Sequence, residues 1–388
     1  MMKNILTLNP ISSSAAAVFG GEYRLSLDAA HPVGILVRSF DMHGYMLDAD
    51  TVAVARAGAG TNNIPCGEYA AAGVVVFNTP GANANAVNEL VIASLLLGSR
   101  RLIDAIEWVR TLKGKGDEIP NLVEKGKARF AGPEICGKKL GIVGLGAIGA
   151  KVANSAVGLG MEVSGYDPYL SVENAMSLSR QVRRVNDMDT LLADSDYLTF
   201  HIPLTDSSRG MIDRKMISKM KDGVVIVNCA RGEFADPSAV LEAAASGKIG
   251  RYITDFPTEE MIGAENVICI PHLGATTPEA EDNCAAMAAR ELVDYIENGN
   301  IRNSVNYPAC ESVRAGRFRI TVNHLNQQNM IASITSALAG EHINIENLVN
   351  KSKGEFAYTM IDTNTEVSSG SIEKIKAIPG VFRVRSLF

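Results

Sequence analysis

Residues 139–167, KLGIVGLGAIGAKVANSAVGLGMEVSGYD, constrain the fold more than any other part of the chain. Leu140 to Val143 is a short apolar run bounded by Lys138-Lys139 and Gly144, and it reads as a buried parallel strand. Gly144, Gly146 and Gly149 follow in G-x-G-x-x-G spacing, and Ala150 to Leu159 has helical composition. Met161 to Gly165 is a second apolar strand, ending in Tyr166-Asp167. A glycine cluster alone marks many ordinary turns, but strand, glycines, helix, strand and acid in this order form a βαβ unit built for a dinucleotide. Gly144 permits the tight turn, Gly146 lets a pyrophosphate approach the backbone, and Gly149 lets helix and strand pack closely. Free N–H groups and the positive end of the helix dipole then face the phosphates. Asp167, 18 residues beyond Gly149, stands where a carboxylate accepts hydrogen bonds from the adenosine ribose. It would repel a 2′-phosphate, and no Arg or Lys lies between it and Arg180, so NAD is expected rather than NADP.

A chain of 388 residues allows two or three domains with large cores. Its net charge of −6 and lack of long basic runs argue against a nucleic-acid surface. The six cysteines, Cys66, Cys136, Cys229, Cys269, Cys284 and Cys310, show no C-x-x-C and no ligand-like spacing. They read as small buried residues of a reducing compartment, and no metal site is expected. MMKNILTLNP lacks the apolar core of a signal peptide, and Leu90 to Leu97 is too short to span a bilayer. A cytoplasmic protein without membrane contact is expected.

The region before the glycine unit alternates strands and glycine-rich loops. Gly34–Val37 runs into Arg38-Ser39, Val52–Val54 into the loop holding Gly58, and Val74–Phe77 into Asn78-Thr79-Pro80-Gly81. Asn88 to Leu112 reads as one long helix broken by Gly98, and Lys113 to Gly137 as an excursion. Beyond Asp167, strands at Tyr197–His201, Val224–Val227, Tyr252–Phe256 and Val267–Ile270 each run into a polar loop. Pro278 to Glu297 is a helix with acidic residues in its first turn, and Arg302 to Arg314 a linker. From Gly316 the order βαββαβ gives a ferredoxin-like unit. The fold expected is α/β: two doubly wound, Rossmann-like parallel-sheet domains and a small C-terminal βαββαβ domain. Residues 1–96 with 280–310 would form a substrate domain, 97–279 the NAD domain, and 316–388 the tail.

Ligands of such sheets bind at the carboxyl ends of the strands. There the chain offers His272, Glu259 and Arg231. Oxidising an alcohol needs a base for the hydroxyl proton, a group to orient that base, and a cation to hold a substrate carboxylate. A carboxylate partner favours an imidazolium, which suits a base that must also act as an acid. An arginine fork binds a carboxylate bidentately.

VNCARGE, FPTE, PHLGATTPEA and HIPLT, with the glycine fingerprint, resemble the D-2-hydroxyacid dehydrogenase family, and the tail is similar to an ACT regulatory domain. The resemblance implies His272 as general base, Glu259 as its partner and Arg231 as carboxylate ligand. It implies cofactor contacts at Gly144, Gly146, Ala147, Ile148, Gly149, Asp167, Cys229, Ala230, Arg231, His272, Gly274 and Ala275. The family places an acid for the nicotinamide amide where Thr254 stands here; the adjacent Asp255 takes that role only if the strand register shifts. Arg38, Ser39, Gly58 and Asn83 fall at family substrate positions, with Arg38 facing a phosphate. Phe40 replaces the family's second basic residue, leaving Lys127 or Arg129 as further candidates. His324, Asn326 and Asn344 match positions where such tails bind serine, although Gln328 and Asn329 replace the usual proline and glycine. The reaction implied is NAD-dependent oxidation of 3-phospho-D-glycerate by a homodimer or homotetramer. A sister activity on glycerate, hydroxypyruvate or lactate, and an NADH-sensing binding protein, remain alternatives.

Overall fold

The computed structural model describes residues 2–388. The chain divides into two compact units, Met1–Ala82 with Glu281–Phe388, and Asn83–Ala280. The first unit opens with five parallel strands: β1 (Lys3–Thr7), β2 (Tyr23–Ser26), β3 (Gly34–Val37), β4 (Ala53–Arg56) and β5 (Val75–Phe77). Their order is β2-β1-β3-β4-β5. Inner β3, GILV, is buried throughout, as a parallel strand covered on both faces requires. Neither β1 (KNILT) nor the edge strand β2 (YRLS) shows a continuous apolar run, so sequence periodicity passed over both.

The second unit holds seven parallel strands: β6 (Lys139–Val143), β7 (Glu162–Tyr166), β8 (Arg183–Val185), β9 (Tyr197–Phe200), β10 (Val224–Asn228), β11 (Ile249–Thr254) and β12 (Val267–Cys269). The order β12-β11-β10-β9-β6-β7-β8 reverses at β6, so the glycine loop leaves the sheet at its topological switch point. Because every pair is parallel, the loops after β6, β9, β10, β11 and β12 all leave from one edge.

Two local departures from the sequence expectation have clear causes. The expected helix Asn88–Leu112 is two helices, Ala84–Ser99 and Leu102–Arg110, and the break falls at Arg100-Arg101 rather than at Gly98. Gly98 lies within the first of these helices, and a Cβ there would lie 2.7 Å from Val225 Cγ1 and 3.0 Å from Ile253 Cδ1. The glycine lets the helix lie directly on β10 and β11. Residues 83–96, read from sequence as part of the first domain, therefore belong with this helix in the second unit. The second departure is in β11, where Val224 pairs with Ile249 but Val225 with Arg251. Gly250 is the extra residue of a bulge, and a Cβ there would lie 2.5 Å from Gly223 O.

The tail forms β13 (Phe318–Leu325), β14 (Ile345–Lys353), β15 (Phe356–Thr363) and β16 (Val381–Leu387), antiparallel in the order β14-β15-β13-β16, with helices Met330–Ala339 and Ser369–Lys376. This is the expected βαββαβ unit. It shares a core with the five-stranded sheet: Tyr358 and Met360 pack in one cluster with Phe77 and Tyr295. Arg385 donates to Tyr295 O (3.0 Å) and Ile296 O (2.6 Å), capping carbonyls near the end of the helix Pro278–Asn298. Arg319, fully buried, pairs bidentately with Asp362 at 2.6 and 2.9 Å and also donates to Asn298 O and Ser312 O. Within this unit the small sheet is thus anchored rather than tethered. Among the described residues, no helix is long and apolar enough to cross a membrane, and all six cysteines are free.

Candidate active site

The glycine loop is built from backbone geometry that side chains would spoil. Gly144 has φ +92, and a Cβ on it would lie 2.5 Å from His201 O. A Cβ on Gly149 would run into Gly144 O and lie 3.0 Å from Gly144 C, so no alanine fits without moving the turn. Around Gly146, the residue preceding the helix Ala147–Gly158, no atom lies within 4 Å of an added Cβ. That open face lies beside the first N–H groups of the helix, donors of the kind that bind an anion. Asp167 closes the far side: Oδ2 accepts from Leu145 N (2.9 Å) and Oδ1 from Tyr169 N (2.8 Å). It therefore also pins the glycine loop, a role the sequence did not show.

Each loop after β9 to β12 has its own support. After β9, burial pushes the pKa of His201 down to about 4, so its ring is neutral at pH 7. Its Nε2 lies 3.1 Å from Thr199 Oγ1, and its Nδ1 is buried without a partner among the described residues. After β10, buried Asn228 staples the turn that carries Cys229, Ala230 and Arg231: Nδ2 donates to Arg231 O (2.9 Å), and Oδ1 accepts from Ala230 N and Arg231 N. The Arg231 guanidinium folds back, with Nη1 2.6 Å from Ala230 O. Sequence reasoning passed over Asn228, although an Asn at a strand end before a turn is an Asx-type signal.

After β11, Thr254 and Asp255 are both buried but serve different ends. Thr254 Oγ1 accepts from Phe256 N (3.1 Å), while Asp255 Oδ2 accepts from Gly274 N (3.2 Å) and Oδ1 is buried with no partner among the described residues. The Gly250 bulge shifts the β10–β11 register, so that Thr254 pairs with Asn228 and Asp255 directly follows the last paired residue. Burial raises the Asp255 pKa, while the Gly274 N–H and His272 work the other way. After β12, His272 is exposed and packs on Phe256, ring centroids 4.6 Å apart. Ala275 follows Gly274 in the same loop. Glu259 lies exposed in the turn after Phe256 and, among the described residues, makes no hydrogen bond to His272 or any other group. Glu260 instead accepts from Thr258 Oγ1 at 3.4 Å. Loops carrying Arg231, Asp255 and His272 thus leave one sheet edge, but the Glu259–His272 pair is not formed. An unpartnered buried carboxylate oxygen on Asp255 and an open glycine cradle after β6 fit a nicotinamide dinucleotide.

In the first unit, Asn9, which sequence reasoning missed, organises the loop after β3. Its Oδ1 accepts from the backbone N–H of Arg38, Ser39 and Phe40 at 3.0, 3.0 and 2.9 Å. The Arg38 guanidinium is paired with Glu281 at 2.7 Å. Arg56, opposite Val37 in the β3–β4 register, donates from Nε to Asn63 Oδ1 (3.1 Å), and its guanidinium lies against Gly58. Its place at a strand end, like that of Arg38, was the available signal. Asn83, just before the helix Ala84–Ser99 of the second unit, has a buried Oδ1 without a partner. Lys127 pairs with Glu124, and Arg129 stacks over Trp108, 4.4 Å from the ring centroid.

In the tail, the His324 ring is engaged on both sides: Nδ1 is 2.8 Å from Leu325 O and Nε2 2.8 Å from Thr359 Oγ1. Asn326 donates to Gly354 O, and Asn344 to Glu346 Oε1. No hydrogen bond joins these three among the described residues. Asn344 precedes β14, which β15 separates from the β13 that carries His324.

Residues 92–274 match the family described as D-isomer specific 2-hydroxyacid dehydrogenase, NAD binding domain. The D-3-phosphoglycerate dehydrogenase of Haemophilus influenzae is 30% identical over 386 residues, covering 96% of this chain and 90% of the relative. The Archaeoglobus fulgidus enzyme of the same name is 36% identical over 265 residues; these cover 66% of this chain but only 48% of that relative, about half its length. Among solved structures, an NAD+-bound 3-phosphoglycerate dehydrogenase from Entamoeba histolytica superposes with a TM-score of 0.59 at 25% identity, covering 79% of this chain and 99% of that one. The chain belongs to the D-isomer-specific 2-hydroxyacid dehydrogenase family, and NAD is its cofactor.

Proposed function

We propose that this chain oxidises 3-phospho-D-glycerate to 3-phosphohydroxypyruvate with NAD, the first step of serine biosynthesis. The observation that carries the reading is the likeness to the Haemophilus enzyme, which runs through 96% of the chain and so includes the antiparallel tail. Gly144, Gly146, Gly149 and the first turn Ala147–Ile148 would hold the pyrophosphate, and Asp167 the ribose. Asp255, beside Gly274, would take the nicotinamide amide, with Cys229, Ala230 and Ala275 lining the approach. When bound, NAD supplies the hydride acceptor.

The chain's own residues do the rest. Arg231 unfolds from Ala230 O and binds the substrate carboxylate bidentately, leaving the C2 hydroxyl toward His272. The imidazole takes the hydroxyl proton as the C2–H bond breaks. Glu259, which has no competing partner among the described residues, swings in to hold the resulting imidazolium. Backbone N–H groups around Gly58, together with Ser39 and Asn83, position the acid. Arg38 takes the phosphate after exchanging Glu281 for it, and Arg56 supplies a second cation in place of the one lost at Phe40. The Arg38–Glu281 pair favours one rival: an acid without a phosphate would leave that pair intact. Serine as an effector at His324, Asn326 and Asn344, and a homodimer or homotetramer, belong to the same reading.

The test is His272→Ala. NADH formation from 3-phosphoglycerate should fall by about 10²- to 10⁴-fold in kcat, the usual range for a general base. A variant that keeps near-normal kcat removes His272 as the base.

A further inference from the structure

Outside the strand-end loops, the first unit holds a cavity of about 370 Å³ beside the helix Pro278–Asn298. Phe77, at the end of β5, and Met287 give it an apolar side. Its polar side has two positive and two negative side chains: Arg290 and Arg302, and Glu291 and Asp294.

Most of these charges are already satisfied. Asp294 Oδ1 accepts from the side-chain amides of Asn298 (2.9 Å) and Asn300 (3.1 Å). Arg302 lies 2.7 Å from Glu311 Oε2 and 3.6 Å from Asp294 Oδ2. Two groups are left over. Glu291 is only 6% exposed; its Oε1 accepts from Asn303 Nδ2 (2.5 Å), while its Oε2 is buried with no partner among the described residues. Arg290 is exposed and makes no hydrogen bond or ion pair among the described residues. A buried carboxylate oxygen left unpaired costs about 1–3 kcal/mol or more, a cost that a ligand can relieve. One buried anionic acceptor and one neighbouring free cation, in a lining of balanced charge, match a ligand with both an ammonium and a carboxylate. A lone anion would leave Glu291 facing it, and a lone cation would leave Arg290 unused.

We propose that this cavity binds a small α-amino acid as its zwitterion, the ammonium beside the Glu291 carboxylate and the carboxylate on Arg290, with the side chain against Met287 and Phe77. The site is independent of the dehydrogenase chemistry and of the tail positions His324, Asn326 and Asn344. Its acidity supports the assignment: burial pushes Glu291 up to about 7, with the Asn303 hydrogen bond and Arg302 acting against it. The groups facing it are Arg290 and Asp294 on its own helix, Arg302 and Asn303 from the following segment, and uncharged Phe77 from β5. Ammonium binding needs the ionised form, so affinity should weaken as pH falls through about 7.

The experiment is calorimetric titration of the full chain with glycine, L-alanine, L-serine and L-valine, and with the N-acetyl and carboxamide derivatives of any that bind. At least one free amino acid should bind saturably, and blocking either end should abolish binding. Glu291→Gln, which keeps the shape and the Asn303 contact, and Arg290→Gln, at an exposed position, should each weaken binding at least tenfold while NADH affinity stays unchanged. For glycine, L-alanine and L-valine, Asn326→Ala should leave it intact. No saturable binding by any of the four overturns the proposal. So does binding of glycine, L-alanine or L-valine that survives either charge-removing variant or is lost in Asn326→Ala, and so does serine binding that is lost entirely in Asn326→Ala.

Discussion

Alanine at Gly146, Gly149 and Gly158, one at a time, separates the two jobs of the glycine loop. At Gly149 the new methyl would meet Gly144 O and lie 3.0 Å from Gly144 C. Both are backbone atoms of the same turn, so relief requires the turn itself to move, and overpacking of this kind costs about 1–3 kcal/mol. At Gly146 an added Cβ meets nothing within 4 Å, and φ −70, ψ −163 is a conformation alanine adopts freely. Its stability should stay within about 0.5 kcal/mol of the parent. Its methyl would nonetheless stand where the pyrophosphate approaches, so NADH affinity should fall at least about tenfold, or about 1.4 kcal/mol. Gly158, the last residue of the same helix, also has open space around it. Alanine there should add about 0.5–1 kcal/mol at most and leave NADH binding alone. Urea unfolding by circular dichroism and NADH fluorescence titration at fixed salt read the two quantities separately. A Gly146→Ala protein that binds NADH like the parent would refute the reasoning, as would a Gly158→Ala protein as impaired as Gly146→Ala.

Arg319→Met should destabilise the first unit by about 3–5 kcal/mol, because it leaves Asp362 buried without its cation; urea unfolding measures it. Burial pushes Asp362 up, but Arg319 and the Ala315 N–H more than offset that and hold its pKa below the usual carboxylate range. Its stabilisation is therefore present near neutral pH and is lost as pH falls below about 4, a loss that the methionine variant should not show. Glu291 works in the opposite sense. Its pKa rises on folding from 4.5 to about 7, so the folded state binds more protons between those values, and stability should fall as pH rises through that window. The change is at most about 3 kcal/mol, and Glu291→Gln should flatten it in unfolding curves taken from pH 4.5 to 7.5.

Much of the second unit was legible in the sequence because its signals are local. The glycine spacing, the apolar strands and the residues that end them lie within a few positions of one another, and the parallel order then brings those ends to one edge. The tail was legible for the same reason, the alternation of Phe318 to Val322 marking its first strand. What was missed depended on partners distant in sequence. Gly98 reads as a helix breaker until Val225 and Ile253 are seen beneath it. The pairing of Thr254 with Asn228 depends on a bulge at Gly250, which lies against Gly223 and which the sequence alone does not reveal. Asn9 and Asn228 look like ordinary turn residues, and only the N–H groups gathered on their side-chain oxygens show that they shape the loops carrying Arg38 and Arg231. Glu291 looked like one more acid on a helix, and its burial became visible only with the return of the chain at Asn303.

The most direct test of the account is the specificity of the native chain. NADH formation, followed by absorbance, would be measured with 3-phospho-D-glycerate, D-glycerate and D-lactate under identical conditions. The account predicts that kcat/KM for the phosphorylated acid exceeds the others by at least about 10²-fold, the worth of roughly 3 kcal/mol of charge-assisted contacts from Arg38 and Arg56. Equal or better turnover of an unphosphorylated acid would contradict it.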